Sequence, residues 1–154
     1  MRRSPDILFG CFVLYLIFVG LFTIAPPPIS RSNGLSGVNL IPVMRSIQCF
    51  VPDPGQPSTT KFCLEIILGN LLLFVPFGIL LPLVSETPMS VKKVLTTALI
   101  ASGLIEIVQF IGSRIGSPRW TDVDDVLLNV AGAVVGYAIV RSLMCLRRSV
   151  QRQI

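Results

Sequence analysis

Four long apolar segments alternate with more polar connections along the chain. They lie at residues 7–25, 62–84, 94–112 and 126–146. At a rise of 1.5 Å per residue, each is long enough to cross most of a hydrocarbon layer about 30 Å thick. The pattern therefore predicts an all-α fold, in which residues 1–154 form a single domain: a bundle of four transmembrane helices.

The first apolar segment has two interpretations. Residues 7–25 contain no charge and no proline, and Arg2 and Arg3 precede them, as in a secretory signal peptide. Residues 23–25 also resemble a cleavage site. However, three prolines follow at once, at 26–28, and the apolar segment exceeds the usual length of a signal-peptide core. We therefore favour a retained first transmembrane helix, with a signal peptide as the alternative.

The connection between the first two helices, residues 26–61, is the longest and is rich in Pro, Gly and Ser. Within it, residues 38–44 are apolar enough to lie at the membrane interface or to dock on the bundle. Pro76 and Pro82 interrupt the second segment. A transmembrane helix tolerates such prolines where neighbouring helices satisfy the freed carbonyl groups.

The distribution of basic residues predicts the orientation of the chain. With four spans, one side of the membrane carries the termini and the second connection, and it holds eight basic residues: Arg2, Arg3, Lys92, Lys93, Arg141, Arg147, Arg148 and Arg152. The other side holds five, Arg31, Arg45, Lys61, Arg114 and Arg119. The positive-inside rule then predicts a multi-pass cell-membrane protein with cytoplasmic N- and C-termini and an extracytoplasmic long loop.

Composition excludes several classes of function. Apolar residues make up 52% of the chain and charged residues only 14%, against roughly 25% in a typical globular domain. Histidine is absent, which excludes Ser-His-Asp and Cys-His mechanisms and the usual His-containing zinc sites. The basic residues flank apolar segments, which is typical of membrane helices rather than of nucleic-acid binding. We expect lipid as a partner, no nucleic acid, no cofactor and no dedicated metal site.

Polar residues inside the apolar segments concentrate at one level. With the predicted orientation, three helices carry them in their outer halves or at their outer ends: Glu65, Asn70, Glu106, Gln109, Asp122, Asp125 and Asn129. Polar groups inside a membrane are costly and commonly functional. The sequence therefore predicts a polar pocket in the outer leaflet.

Spacing in the fourth segment places its polar residues and its glycines on one face. Asp122, Asp125, Asn129, Gly132 and Gly136 follow steps of three and four residues, which is the helical period. The last step is a GxxxG arrangement, which lets a neighbouring helix approach closely. This face is therefore expected to contact protein rather than lipid.

Each polar residue also has a structural interpretation. Asp122 and Asp124 are compatible with solvated charges at a helix N-terminus, where Thr121 would cap the helix and Asp124 would complete a capping box. Glu65 is compatible with an interfacial position. Glu106, Gln109, Asp125 and Asn129 are compatible with a functional pocket or with a hydrogen-bond network that locks the helices together.

The residues resemble the VanZ-like family. The resemblance covers the chain from the first helix to Tyr137, and its motifs span residues 39–137: Asn39-Leu-Ile-Pro42, Asn70-Leu-Leu-Leu-Phe-Val-Pro-Phe-Gly78, Glu106-Ile-Val-Gln109, Arg114 and Asp122-Val-Asp-Asp-Val-Leu-Leu-Asn-Val-Ala-Gly-Ala-Val-Val-Gly-Tyr137. It implies a bacterial integral membrane protein of a family whose founding member is associated with resistance to the glycopeptide teicoplanin. It implies no reaction. The resemblance implies that the motif positions of the family correspond here to Asn70, Pro76, Gly78, Glu106, Gln109, Arg114, Asp122, Asp125, Asn129, Gly132 and Gly136.

Three functions are compatible with these features. The first is an accessory protein that affects access of a glycopeptide or a lipid-linked envelope precursor. The second is an intramembrane enzyme in which Glu106 or Asp125 acts as general acid or base and Arg114 holds an anionic group, or in which carboxylates bind Mg²⁺ or Ca²⁺. The third is a structural subunit that assembles with another membrane protein through its glycine face.

The four cysteines add one further possibility. Cys49 and Cys63 bracket the Pro-rich part of the outer loop, where a disulfide is compatible with the oxidising side. Cys11 and Cys145 fall in helices and are expected to be small apolar residues.

Overall fold

The computed structural model describes residues 5–24, 38–43, 47, 59–115 and 121–151. Its elements in chain order are α1 (Pro5–Ile24), β1 (Val38–Asn39), α2 (Thr59–Val84), α3 (Val91–Arg114), β2 (Thr121–Asp122) and α4 (Val123–Gln151). All four helices are long and apolar enough to cross a membrane, which confirms the predicted four-helix architecture.

The outer surface of the helices is largely apolar. Large side chains such as Leu14, Phe18, Leu104 and Leu143 are more than half exposed. A soluble protein rarely exposes contiguous apolar surface of this extent. The surface therefore fits contact with the lipid bilayer.

All four helices begin before the apolar segments from which they were predicted, and two of them also end later. α3 begins at Val91, where the Ser90 side chain accepts a hydrogen bond from the Lys93 backbone N–H at 3.3 Å and caps the helix. α4 continues past Leu146, where the predicted segment ended, to Gln151. Hydropathy marks only the part of a helix inside lipid, whereas its backbone hydrogen bonds continue into water.

Glycine brings α2 and α4 into close contact, the most extensive between any two helices described. A Cβ atom built on Gly78 would lie 1.9 Å from the carbonyl oxygen of Ala133, and one on Gly136 would lie 2.1 Å from that of Val75. The two backbones therefore approach to a distance that no side chain would permit. Pro76 and Pro82 lie inside α2 without ending it.

The core consists of aromatic and small residues from all four helices. Its buried members are Val19, Phe74, Phe77, Val94, Ala98, Ala133 and Tyr137. α1 lies at the edge of the bundle, and the Tyr15 hydroxyl donates a hydrogen bond to the Leu73 carbonyl oxygen at 2.7 Å. At the end of the bundle that carries the α2–α3 connection, the Tyr137 hydroxyl donates to the Met89 carbonyl oxygen, also at 2.7 Å.

A short parallel strand pair joins the long connection to the start of α4. Val38 aligns with Thr121, and Asn39 with Asp122. Residues 38–43 are therefore docked on the bundle at the α3–α4 connection. Of the two positions expected for this apolar segment, the structure describes the docked one.

Candidate functional site: a polar cluster between α2, α3 and α4

Seven polar residues meet where α3 approaches the start of α4. We call this set the polar cluster: Asn70, Ser102, Glu106, Asp122, Asp124, Asp125 and Asn129. Ser102, Glu106, Asp122, Asp124 and Asn129 are buried, and the other two are half-buried. Burying this many polar groups among apolar helices is costly unless they are hydrogen-bonded to one another.

Asp122 joins α3 to the start of α4. Its backbone N–H donates to Oε2 of Glu106 at 3.2 Å, and its own Oδ1 accepts from the Asp124 backbone N–H at 3.0 Å. Asp122 therefore caps α4, and the predicted cap at Thr121 is wrong. Pairing with β1 keeps residues 121–122 extended, so the helix begins one residue later than that cap required.

Asp124 holds the docked segment of the long connection. Its Oδ1 accepts a hydrogen bond from the Val43 backbone N–H. Asp122 and Asp124 are 1% and 4% exposed, so the alternative in which both are solvated helix-end charges is wrong. Sequence spacing did not predict this contact because its partners are 81 residues apart.

The half-buried edge of the cluster is a pair between α2 and α4. Asn70 Nδ2 donates a hydrogen bond to Oδ1 of Asp125. Asn70 lies inside the apolar span of α2, which covers residues 64–84, and from there its amide donates to a carboxylate of α4. Glu65, five residues earlier on α2, is exposed and lies outside the cluster.

The deepest pair of the cluster links α4 to α3. Asn129 Nδ2 donates to the Ser102 hydroxyl oxygen at 2.8 Å, and Asn129 Oδ1 is buried with no hydrogen-bond partner. Ser102 is missing from the residues selected by sequence. A signal was present, because Ser102 lies four residues before Glu106 and so on the same face of α3.

Two further residues selected by sequence also lie outside the cluster. Gln109 Nε2 donates to the Thr23 carbonyl oxygen at 3.2 Å, so it joins α3 to the end of α1. Arg114 is exposed, and its guanidinium carbon lies 5.0 Å from the centre of the Phe110 ring. A cation–π contact of this kind holds the side chain at the end of α3, away from the polar cluster.

The chemistry that the cluster offers is that of carboxylates, amides and hydroxyls. Among the residues that the structure describes, no group of three or more acidic or cysteine side chains is arranged to hold a metal ion. Cys11 and Cys145 are exposed free thiols on the lipid-facing helices. Cys49, the side chain of Cys63, Arg119 and Trp120 lie outside the described residues, and so does the predicted disulfide.

The comparison with known families covers most of this structure. A family model described as VanZ/LLP1 matches residues 12–146. The chain belongs to the VanZ/LLP1 family. The matched region of this VanZ/LLP1 member includes every residue of the polar cluster and the glycines of the α2–α4 contact. No curated protein and no solved structure matches the chain.

Proposed function

We propose that this VanZ/LLP1 member is an accessory protein of the bacterial cell envelope at the outer face of the cytoplasmic membrane. In this proposal the polar cluster binds a glycopeptide, such as teicoplanin, or a lipid-linked envelope precursor. The founding member of the VanZ-like family is associated with teicoplanin resistance, which directs the choice of ligand.

The observation that carries the proposal is the burial of polar side chains inside apolar spans. Glu106 and Asn129 lie in α3 and α4, and both are less than a tenth exposed. Apolar residues of similar size could fill such positions with equal or greater stability. Polar groups kept at this depth instead support recognition of a polar ligand. The buried oxygen Asn129 Oδ1 has no hydrogen-bond partner and is therefore able to accept a hydrogen bond from a ligand.

The proposed orientation rests on charge. Eight basic residues on the side of the termini, against five on the other, favour cytoplasmic termini and an extracytoplasmic polar cluster. A reporter that is active only in the cytoplasm, fused after Ile154, should be active. The same reporter inserted after Thr87 should also be active. Inactivity at both positions would reverse the orientation.

Deletion and complementation test the function. We expect deletion of the gene to change teicoplanin susceptibility and the binding of a fluorescent glycopeptide to cells. Wild-type protein and the control variant Glu86→Gln, on the exposed α2–α3 connection, should restore both. Asn129→Leu, expressed at the wild-type level in the membrane, should restore neither. Unchanged susceptibility and binding after deletion would count against the proposal.

An intramembrane enzyme is the second candidate, and the position of Glu106 favours it. Its carboxylate is buried and accepts a backbone N–H, which fixes the position of the group. Glu106→Gln keeps an acceptor oxygen for Asp122 but removes proton exchange. An enzyme should therefore lose all activity in cells in this variant, whereas a binding protein should keep part of it.

A structural subunit is the least supported of the three functions. Gly132 and Gly136 lie against α2 of the same chain. The glycine face is therefore occupied and is not a surface for another membrane protein. A partner would have to use a different face of the bundle.

A further inference from the structure

The docked segment of the long connection carries an exposed apolar turn beside the start of the α4 span. We define the apolar turn as residues 40–43. Leu40, Ile41 and Val43 are 74%, 59% and 48% exposed, although β1 holds the preceding residues on the bundle. The structure thus fixes three apolar side chains toward the outside at a defined place.

The hydrogen bonds of α3 determine how deep this place is. Gln109 contacts Thr23, the last residue of the apolar span of α1. Glu106 contacts Asp122, the register partner of Asn39. Glu106 and Gln109 are three residues apart within the span of α3, so the two contacts lie within about one helical turn of each other along α3. The strand pair is therefore held at about the level at which the span of α1 ends and the span of α4 begins.

The backbone of the apolar turn is suited to that depth. Non-helical backbone inside a membrane needs hydrogen-bond partners within the protein. The strand pair provides them for residues 38–39, and Asp124 accepts the N–H of Val43. Val43 has φ 65°, a left-handed conformation that β-branched residues rarely adopt. The bond to Asp124 fixes the turn despite this unfavourable conformation.

We propose that the apolar turn lies at the edge of the bilayer and that Leu40, Ile41 and Val43 contact the lipid acyl chains of the adjacent leaflet. The occupant of this surface is lipid because the turn is continuous with the lipid-facing helices. The turn begins beside β2, directly before the span of α4. Its residue Val43 donates a hydrogen bond to Asp124, the second residue of that span. Asp124 is the positioning residue, since its carboxylate holds the turn at this depth.

Fluorescence quenching in vesicles tests the proposal independently of any function in the envelope. The four cysteines are replaced by serine, Ile41→Cys is labelled with an environment-sensitive dye, and the full chain is reconstituted into phosphatidylcholine–phosphatidylglycerol vesicles. We expect blue-shifted emission, strong quenching by lipid carrying a nitroxide near the headgroup, and weak quenching by iodide. Thr87→Cys, on the exposed α2–α3 connection, is the matched control and should respond in the opposite way.

A second pair of variants tests the role of Asp124 on the labelled Ile41→Cys chain. Asp124→Ala should move the label into water and raise its quenching by iodide severalfold, whereas Asp124→Asn, which keeps an acceptor oxygen, should not. Vesicles are compared only after each variant elutes as a monodisperse species in detergent. Equal iodide quenching at positions 41 and 87 in the Asp124 chain would overturn the proposal. Unchanged quenching in Asp124→Ala would overturn the role of Asp124.

Discussion

A Cβ atom on Gly132 would lie 2.0 Å from the carbonyl oxygen of Leu71, which is backbone and cannot rotate away. Glycine at this position lets α4 touch α2 directly. Helix association in lipid depends on such close packing, because there is no hydrophobic driving force between helices there.

Gly132→Ala should therefore destabilise the bundle. Overpacking of this kind costs about 1–3 kcal/mol, and here only a backbone shift could relieve it. Thermal aggregation in detergent, followed by size-exclusion chromatography, measures the effect as a lower midpoint. Gly103→Ala in α3 is the control, because nothing lies within 4 Å of its Cβ position. Equal aggregation midpoints for the two variants would mean that the contact between Gly132 and α2 does not limit stability.

Ser102 and Asn129 should behave as a coupled pair. Ser102→Ala leaves the buried Asn129 amide without its partner at 2.8 Å, which costs about 1–3 kcal/mol. Ser102→Ala combined with Asn129→Leu should recover part of this loss, since no unpaired amide remains. A double-mutant cycle, which compares the thermal midpoints of the wild type, the two single variants and the double variant, measures the coupling between the two side chains. Strictly additive losses would mean that the two side chains do not depend on each other.

We expect Val43→Gly to preserve the folded turn and Val43→Pro to disrupt it. Val43→Gly keeps the N–H donor to Asp124 and suits φ 65°, so it should match or exceed wild-type stability. Val43→Pro removes the donor and imposes a φ of about −65°. Limited proteolysis within residues 38–43 measures the outcome, with rapid cleavage expected for proline alone. Rapid cleavage of the glycine variant would contradict the role of the backbone bond.

Tyr137→Phe should loosen the α2–α3 connection without disturbing the polar cluster. The variant loses the hydrogen bond from the hydroxyl to the Met89 carbonyl oxygen, worth about 1 kcal/mol. Hydrogen–deuterium exchange should rise in residues 85–90 and stay constant in residues 121–130. Tyr15→Phe, which loses the bond to Leu73, is the matched control and should leave residues 85–90 unchanged.

The sequence by itself determined the helices and much of the candidate site. Four apolar segments predicted four spans because the thickness of a bilayer sets the length of a transmembrane helix. Helical spacing likewise selected Asp122, Asn129 and Gly132, since residues three and four apart share a face. These are local properties, and a single chain carries them without reference to its fold.

Only the tertiary structure decided which groups meet. Val43 and Asp124 are 81 residues apart, and the strand pair that brings them together has only two residues on each side. No periodicity predicts so short a pairing. The same holds for Gln109, which spacing grouped with Glu106 but which the packing of α1 directs to Thr23. Local pattern selects a face of a helix, whereas the identity of the neighbour on that face follows from how the helices pack.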